Sequence, residues 1–136
     1  MDLATSMAVA ASGMRAQSTR MRTIAENIAN ANSTAVTPGG DPYRRKVATM
    51  QSEFDRELNA TMVTSGNPVA DNTAFRQSYE PGNPAADAKG YVKLPNVNPL
   101  VEMMDMREAQ RSYEADLSVM EASKNMLAGT IDLLRR

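Results

Sequence analysis

Asn98-Pro99-Leu100-Val101-Glu102-Met103-Met104-Asp105-Met106 and its continuation to Arg136 hold the strongest pattern in the chain. Asn98 suits an N-cap, and Pro99 fits the first helical position, where its missing N–H costs nothing. No proline follows. Large apolar residues then recur in a 3-4 alternation at Met103, Met106, Gln110, Tyr113, Leu117, Met120, Lys124, Leu127, Ile131 and Leu134. Eight of these ten are apolar, where an overall apolar content of 42% would place about four. A seam so far above background predicts a long helix built to lie along another helix.

The partner is at the other end of the chain. Leu3, Met7, Ala10, Met14, Gln17, Met21, Ile24, Ile28 and Ala31 repeat the same spacing. Asp2 is placed to cap this helix, and Gly13 costs roughly 1 kcal/mol against alanine, tolerable at this length. Asn30-Ala31-Asn32-Ser33-Thr34 ends it, because short polar side chains compete for the backbone. Both seams are narrow and Met-rich, and both are broken by polar residues, Gln17 in one and Gln110 and Lys124 in the other. Such breaks fix register and choose partners. The expected fold is mainly α: two terminal helices, each roughly 45–55 Å long, packed as an antiparallel coiled-coil-like pair.

Residues 35–97 differ in kind, which divides the chain into an N-terminal helix (1–34), a loop-rich middle (35–97) and a C-terminal helix (98–136). Thr37-Pro38-Gly39-Gly40-Asp41-Pro42 forces a loop. Short strands are expected within Tyr43–Phe54, Thr73–Tyr79 and Gly90–Leu94, separated by Ser65-Gly66-Asn67-Pro68 and Glu80-Pro81-Gly82-Asn83-Pro84. Residues 55–63 fit a short helix or a loop equally well. The sparse apolar content of this middle predicts that part of it is disordered in isolation.

Composition narrows function. The 136 residues include no Trp, two Phe and four Tyr against eleven Met, which suits adaptable helix seams better than a thick core. A net charge of -1 offers no field to steer the chain to nucleic acid or an anionic membrane. Cysteine and histidine are both absent, removing a thiol nucleophile and the commonest base and metal ligand. No apolar run is long enough to span a bilayer, and the N-terminus lacks the basic and hydrophobic regions of a Sec signal.

Three clusters invite a chemical reading. Glu102, Asp105 and Glu108 line one side of the C-terminal helix near its start. A metal or acid/base cluster is outweighed by simple complementarity to the helix dipole, with Arg135 and Arg136 at the other end. Glu108–Arg111 and Glu121–Lys124 read as solvated pairs. Arg44-Arg45-Lys46 lacks aromatic interleaving and reads as an exposed strand edge. Gly39-Gly40-Asp41 lacks the Gly-Lys-Ser/Thr ending of a phosphate loop. No cofactor, metal or catalytic group is expected.

Two groups of residues carry a family resemblance. Ala25-Glu26-Asn27-Ile28-Ala29-Asn30-Ala31-Asn32-Ser33-Thr34 is similar to the Asn-rich signature near the N-terminus of bacterial flagellar rod, hook and hook-associated proteins. Gly40–Lys46, Tyr79–Asp87 and Gly90–Asn98 resemble the proximal-rod members of that axial superfamily, as do Glu102-Met103 and Ala109–Ala115. Residues 52–76 show no such match. The motif positions are Asn27, Asn30, Tyr43, Pro81, Gly82, Gly90, Tyr91, Pro95 and Asn96.

The resemblance implies a structural subunit of the flagellar basal-body rod. Such a subunit assembles helically through its terminal helices, transmits motor torque, lines the export channel and resides in the periplasm. It leaves the cell unfolded, without a cleaved signal, through the flagellar type III export apparatus. Its partners are itself, other proximal and distal rod subunits and the junction protein between MS ring and rod, with no nucleic acid and no membrane insertion. The seam residues Leu3, Met7, Met14, Met21, Ile24, Ile28, Met106, Tyr113, Leu117, Met120, Leu127, Ile131 and Leu134 are then the expected assembly interface. Gln17, Gln110 and Lys124 are expected to set register or partner. A free monomer is expected to have weakly helical termini. Competing readings are another rod or hook subunit, or a cytoplasmic helical-hairpin adaptor or chaperone.

Overall fold

The computed structural model describes residues 2–135, so the expectation for Arg136 lies outside the described residues. Helix α1 spans Leu3–Ala29 and begins as expected, with Asp2 Oδ1 accepting the Thr5 N–H at 2.7 Å. It stops where Asn30 turns its side-chain amide back to the Glu26 carbonyl at 2.9 Å. Helix α2 spans Pro99–Leu134, and Asn98 Oδ1 accepts the Leu100 N–H at 3.1 Å. Two capped helices with a small strand-bearing middle make a mixed fold.

The middle takes a defined course. Its strands are β1 (Lys46–Val47), β2 (Met50–Asp55), β3 (Ala60–Ser65), β4 (Val69–Ala70), β5 (Arg76–Tyr79) and β6 (Tyr91–Leu94). They form three antiparallel ribbons, β1–β4, β2–β3 and β5–β6, with β2–β3 inserted between the strands of the first. The short strands expected within Tyr43–Phe54 are β1 and most of β2, separated at Ala48-Thr49. Residues 55–63 are neither helix nor loop alone. Asp55 Oδ1 accepts the Glu57 and Leu58 N–H groups at 2.8 and 3.1 Å, Asn59 takes a left-handed φ of 48°, and the chain returns as β3. Short polar side chains that mimic backbone partners build this turn.

The chain divides into two compact units, and both helices run through both. The first unit holds the chain up to Met21, Ala48–Asn67 and the chain from Arg107. Within it, buried Ser12 fastens the β2–β3 ribbon to α1. Its hydroxyl donates to the Val9 carbonyl at 2.7 Å and accepts the Val63 N–H at 3.1 Å. A Cβ on Gly13 would lie 2.4 Å from an Asp116 carboxylate oxygen, so this glycine lets α2 come close to α1. The second unit holds Arg22–Val47 and Pro68–Met106, with Val92, Pro95 and Val97 fully buried.

The inward face of α2 differs from the expected seam. Glu102, Ala109 and Ser123 are buried and Asp116 is half-buried, seven residues apart, with Met106, Tyr113 and Met120 half-buried beside them. Met103, Gln110, Leu117, Lys124, Leu127, Ile131 and Leu134 are exposed. The face turned inward is small and polar; Met106, Tyr113 and Met120 of the expected seam flank it half-buried, and the other seam members point out. On α1 the expected seam does turn inward: Ala10, Ile24 and Ala31 are buried, and Leu3, Met7, Met14, Gln17, Met21 and Ile28 are half-buried.

Candidate functional site

The second unit is built around Asn27, which is 1% exposed. Its amide nitrogen donates to the Lys46 carbonyl at 2.8 Å and to Glu102 Oε2 at 3.1 Å. Its carbonyl oxygen accepts from the Tyr43 hydroxyl at 2.8 Å and the Lys46 N–H at 3.0 Å. An asparagine has two donors and two favourable acceptor directions, and all are used. Toward Lys46 the side chain acts as a peptide group would in a sheet ladder. One residue of α1 thus holds the start of β1 and the first turn of α2 together.

Glu102 sits in the same cluster, wholly buried, and accepts a second hydrogen bond from Arg45 Nε. The Arg45 guanidinium also meets Asp71 at 3.2 Å and Asp105 at 3.7 Å. Asn96 closes the far side. Its oxygen accepts the Arg45 N–H at 2.8 Å, and its amide donates to the Asp71 carbonyl at 3.0 Å and Thr73 Oγ1 at 2.9 Å. Arg44 donates to the Asp71 and Thr73 carbonyls at 3.0 and 3.2 Å while its guanidinium lies 4.2 Å over the Phe75 ring.

Titration behaviour follows from this packing. Burial, then the charges of Glu26 and Glu102, pushes the Tyr43 hydroxyl up to about 12. Burial disfavours the Arg45 cation, but hydrogen bonds and charge from Glu102 and Asp71 outweigh it and raise its pKa. The Thr73 N–H holds Asp71 below the usual carboxylate range, against some desolvation and with help from Arg45. Every polar group named here has a partner. The cluster is a lock, and it presents no free nucleophile.

Two expectations are corrected here. Arg44-Arg45-Lys46 is not an exposed edge, because Arg44 and Arg45 turn into the second unit. Glu102 and Asp105 serve Arg45 as ion-pair partners rather than the helix dipole alone, and Glu108 pairs with Arg20 at 3.3 Å. Among the described residues no group of three or more acidic, histidine or cysteine side chains could hold a metal. Sequence reasoning missed Asp71 and singled out Arg45 and Glu102 without pairing them. The one available signal was an acid placed seven residues before Ala109, on the small-residue face of α2.

The remaining motif positions shape the β5–β6 ribbon. Gly90 has φ +85°, and a Cβ there would sit 2.9 Å from the Tyr79 ring. Tyr91 meets Tyr79 edge to face with centroids 5.3 Å apart. Pro81 and Gly82 form the exposed turn before it, and Pro95 is buried after it.

The first unit contributes the opposite kind of surface. Leu117, Val119, Met126, Leu127, Ile131, Leu133 and Leu134 of α2 are all exposed, the last at 83%. Beside them a groove of about 270 Å³ is lined by Ala11, Met14, Arg15, Ser18, Tyr113 and Met120. No helix among the described residues is long and apolar enough to cross a membrane. Exposed apolar side chains are thus concentrated on this part of α2.

Comparison with known proteins identifies a family. A family model described as flagella basal body rod protein matches residues 7–35, and one described as flagellar basal body rod FlgEFG protein C-terminal matches residues 88–133. The chain is 53% identical over 127 residues to flagellar basal-body rod protein FlgC of Agrobacterium fabrum, covering 93% of this chain and 91% of the relative. It is 42% identical to FlgC of Escherichia coli O157:H7, covering 92% of each. To FlgC of Bacillus subtilis it is 39% identical, covering 94% of this chain and 95% of the relative.

Proposed function

The chain belongs to the family of flagellar basal-body rod protein FlgC and is a structural, non-enzymatic subunit of the rod, and we propose that its terminal helices build that rod by helical stacking. In this reading α1 and α2 lie antiparallel. The approach of Gly13 to Asp116, the Arg20–Glu108 ion pair and the Asn27–Glu102 hydrogen bond support that order. Residues 1–34 and 98–136 form the inner tube around the export channel and residues 35–97 an outer layer. The observation that carries the proposal is the α2 stripe left exposed at Leu117, Leu127, Ile131 and Leu134, which a rod subunit would bury against neighbours.

Heterologous contacts that do not close generate a helical filament, and long interdigitated helices resist shear when torque passes along it. The neighbours are other copies, further proximal and distal rod subunits and the junction protein between MS ring and rod. Gln17, Gln110 and Lys124 select among them. The subunit passes through the type III export apparatus without a cleaved signal and takes its place in the periplasm. The half-buried seam residues Leu3, Met7, Met14, Met21, Ile28, Met106, Tyr113 and Met120, with buried Ile24, hold the helices together and shape what they offer.

Complementation of a strain lacking the native gene tests this. A Leu117→Asp chain should be made and folded but leave the cells without rods and non-motile. Normal swimming would overturn the role given to this stripe. Ile24→Asp should fail as well, through the buried interior of the subunit.

A further inference from the structure

Helix α2 outlasts its own partners. Ser123 is its last buried residue, and every residue from Lys124 to Leu134 is exposed. That is roughly 16 Å of helix in which no described residue is buried, although helices shorter than about 12–15 residues are marginal in water. Leu127, Ile131 and Leu134 fall on one face at i, i+4 and i+7, the spacing of a helix that docks into a groove. Asp132 adjoins them and is exposed.

The same unit carries a groove of fitting character. Ala11 and Met14 of α1 and Tyr113 and Met120 of α2 form its apolar lining, with exposed Arg15 at its rim. Its volume of about 270 Å³ lies just below the roughly 300–1,000 Å³ of small-molecule sites and suits inserted side chains. The groove cannot receive the tip of its own α2. Tyr113 and Met120 line it from that very helix, and an unbroken helix does not fold back on itself.

Resting on the rod reading above, we propose that the last three turns of α2 from one copy dock into the α1–α2 groove of a second copy. Leu127, Ile131 and Leu134 enter between Met14, Tyr113 and Met120, and Asp132 meets Arg15. Each copy then offers a tip and a groove at different places. The contact is heterologous and open-ended, and it hands the tip the partner it lacks.

The natural absence of cysteine makes the test clean. Full-length Met14→Cys and Ile131→Cys chains are produced together in a strain lacking the native gene, and rods are treated with a mild oxidant. A disulfide joining one chain of each kind is expected, with loss of the product when Thr130→Cys replaces Ile131→Cys. Disulfides between Ile131→Cys and a cysteine placed in a different rod protein, with none to Met14→Cys, would overturn the proposal. Arg15→Asp should abolish swimming and Asp132→Arg in the same chain should restore it, with unchanged circular dichroism, since both residues are exposed. Failure of the double variant to restore swimming would also overturn the docking. Unimpaired swimming by Arg15→Asp and by Ile131→Asp would remove the docking and leave the rod reading intact. Complete rods in the deletion strain would remove the rod reading itself.

Discussion

The two ends of α2 meet opposite conditions. At its start Glu102 is fully buried and held by Asn27 and Arg45, whereas at its end Leu134 is 83% exposed. The usual rule, apolar inside and charged outside, is inverted along one helix. A buried carboxylate is retained only where partners are arranged around it, so the start of α2 is specified within the chain. The leucine stripe at the end has no such partners among the described residues, and in the proposed rod a neighbouring chain would cover it. The comparison separates what folds the subunit from what joins it to others.

The largest effect should come from breaking the lock. Arg45→Ala leaves Glu102 buried without its cation and should cost about 3–5 kcal/mol in urea denaturation. A loss under about 1 kcal/mol would mean that water already reaches this carboxylate. Next comes Asn27→Ala, which strands the Lys46 peptide groups and should cost about 2–3 kcal/mol. Alkaline titration sharpens the same region. Tyr43 is raised to about 12 when folded, so its contribution is complete below the ordinary tyrosine value and lost as pH climbs through the folded one. That contribution is on the order of 2 kcal/mol, and Tyr43→Phe should flatten this part of the pH–stability curve. Asp71 titrates in the other sense. Its lowered pKa supplies stability above the ordinary carboxylate range that is lost in stronger acid.

Smaller changes probe the first unit. The buried Gln17 Oε1 has no hydrogen-bond partner among the described residues, so Gln17→Met should stabilise the monomer by about 1 kcal/mol. If Gln17 chooses a neighbour, the same change should lower rod yield, measured as basal bodies recovered. Leu117→Asp should move monomer stability by no more than about 0.5 kcal/mol while abolishing assembly. A large loss of stability in that variant would place Leu117 within the folded subunit and erase the contrast between the two ends.

Much of the fold was legible because its signals are local. Asp2 and Asn98 cap their helices through bonds to residues three and two positions on, Pro99 opens the second, and Asn30 ends the first through a bond four positions back. Strand β3 was not legible. Thr61-Met62-Val63-Thr64 is short, and its pairing depends on a turn whose Asp55 and Asn59 resemble ordinary surface residues. The lock was hidden for a different reason. Asn27, Arg45 and Glu102 stand 16 to 75 residues from the partners they hold, beyond any local pattern. The α2 register misled because apolar periodicity does not say which chain will cover a stripe.

By itself the sequence determined the two capped helices, their 3-4 repeat and the family to which the chain belongs, since caps, periodicity and motifs reside in neighbouring residues. Only the tertiary structure decided that α2 turns Glu102, Ala109, Asp116 and Ser123 inward and its leucines out. The physical reason is that burial depends on what the rest of the chain brings near. Asn27 and Arg45 supply partners for a charge at one end, and Gly13 makes room for another. Beyond Ser123 no described residue of α2 is buried.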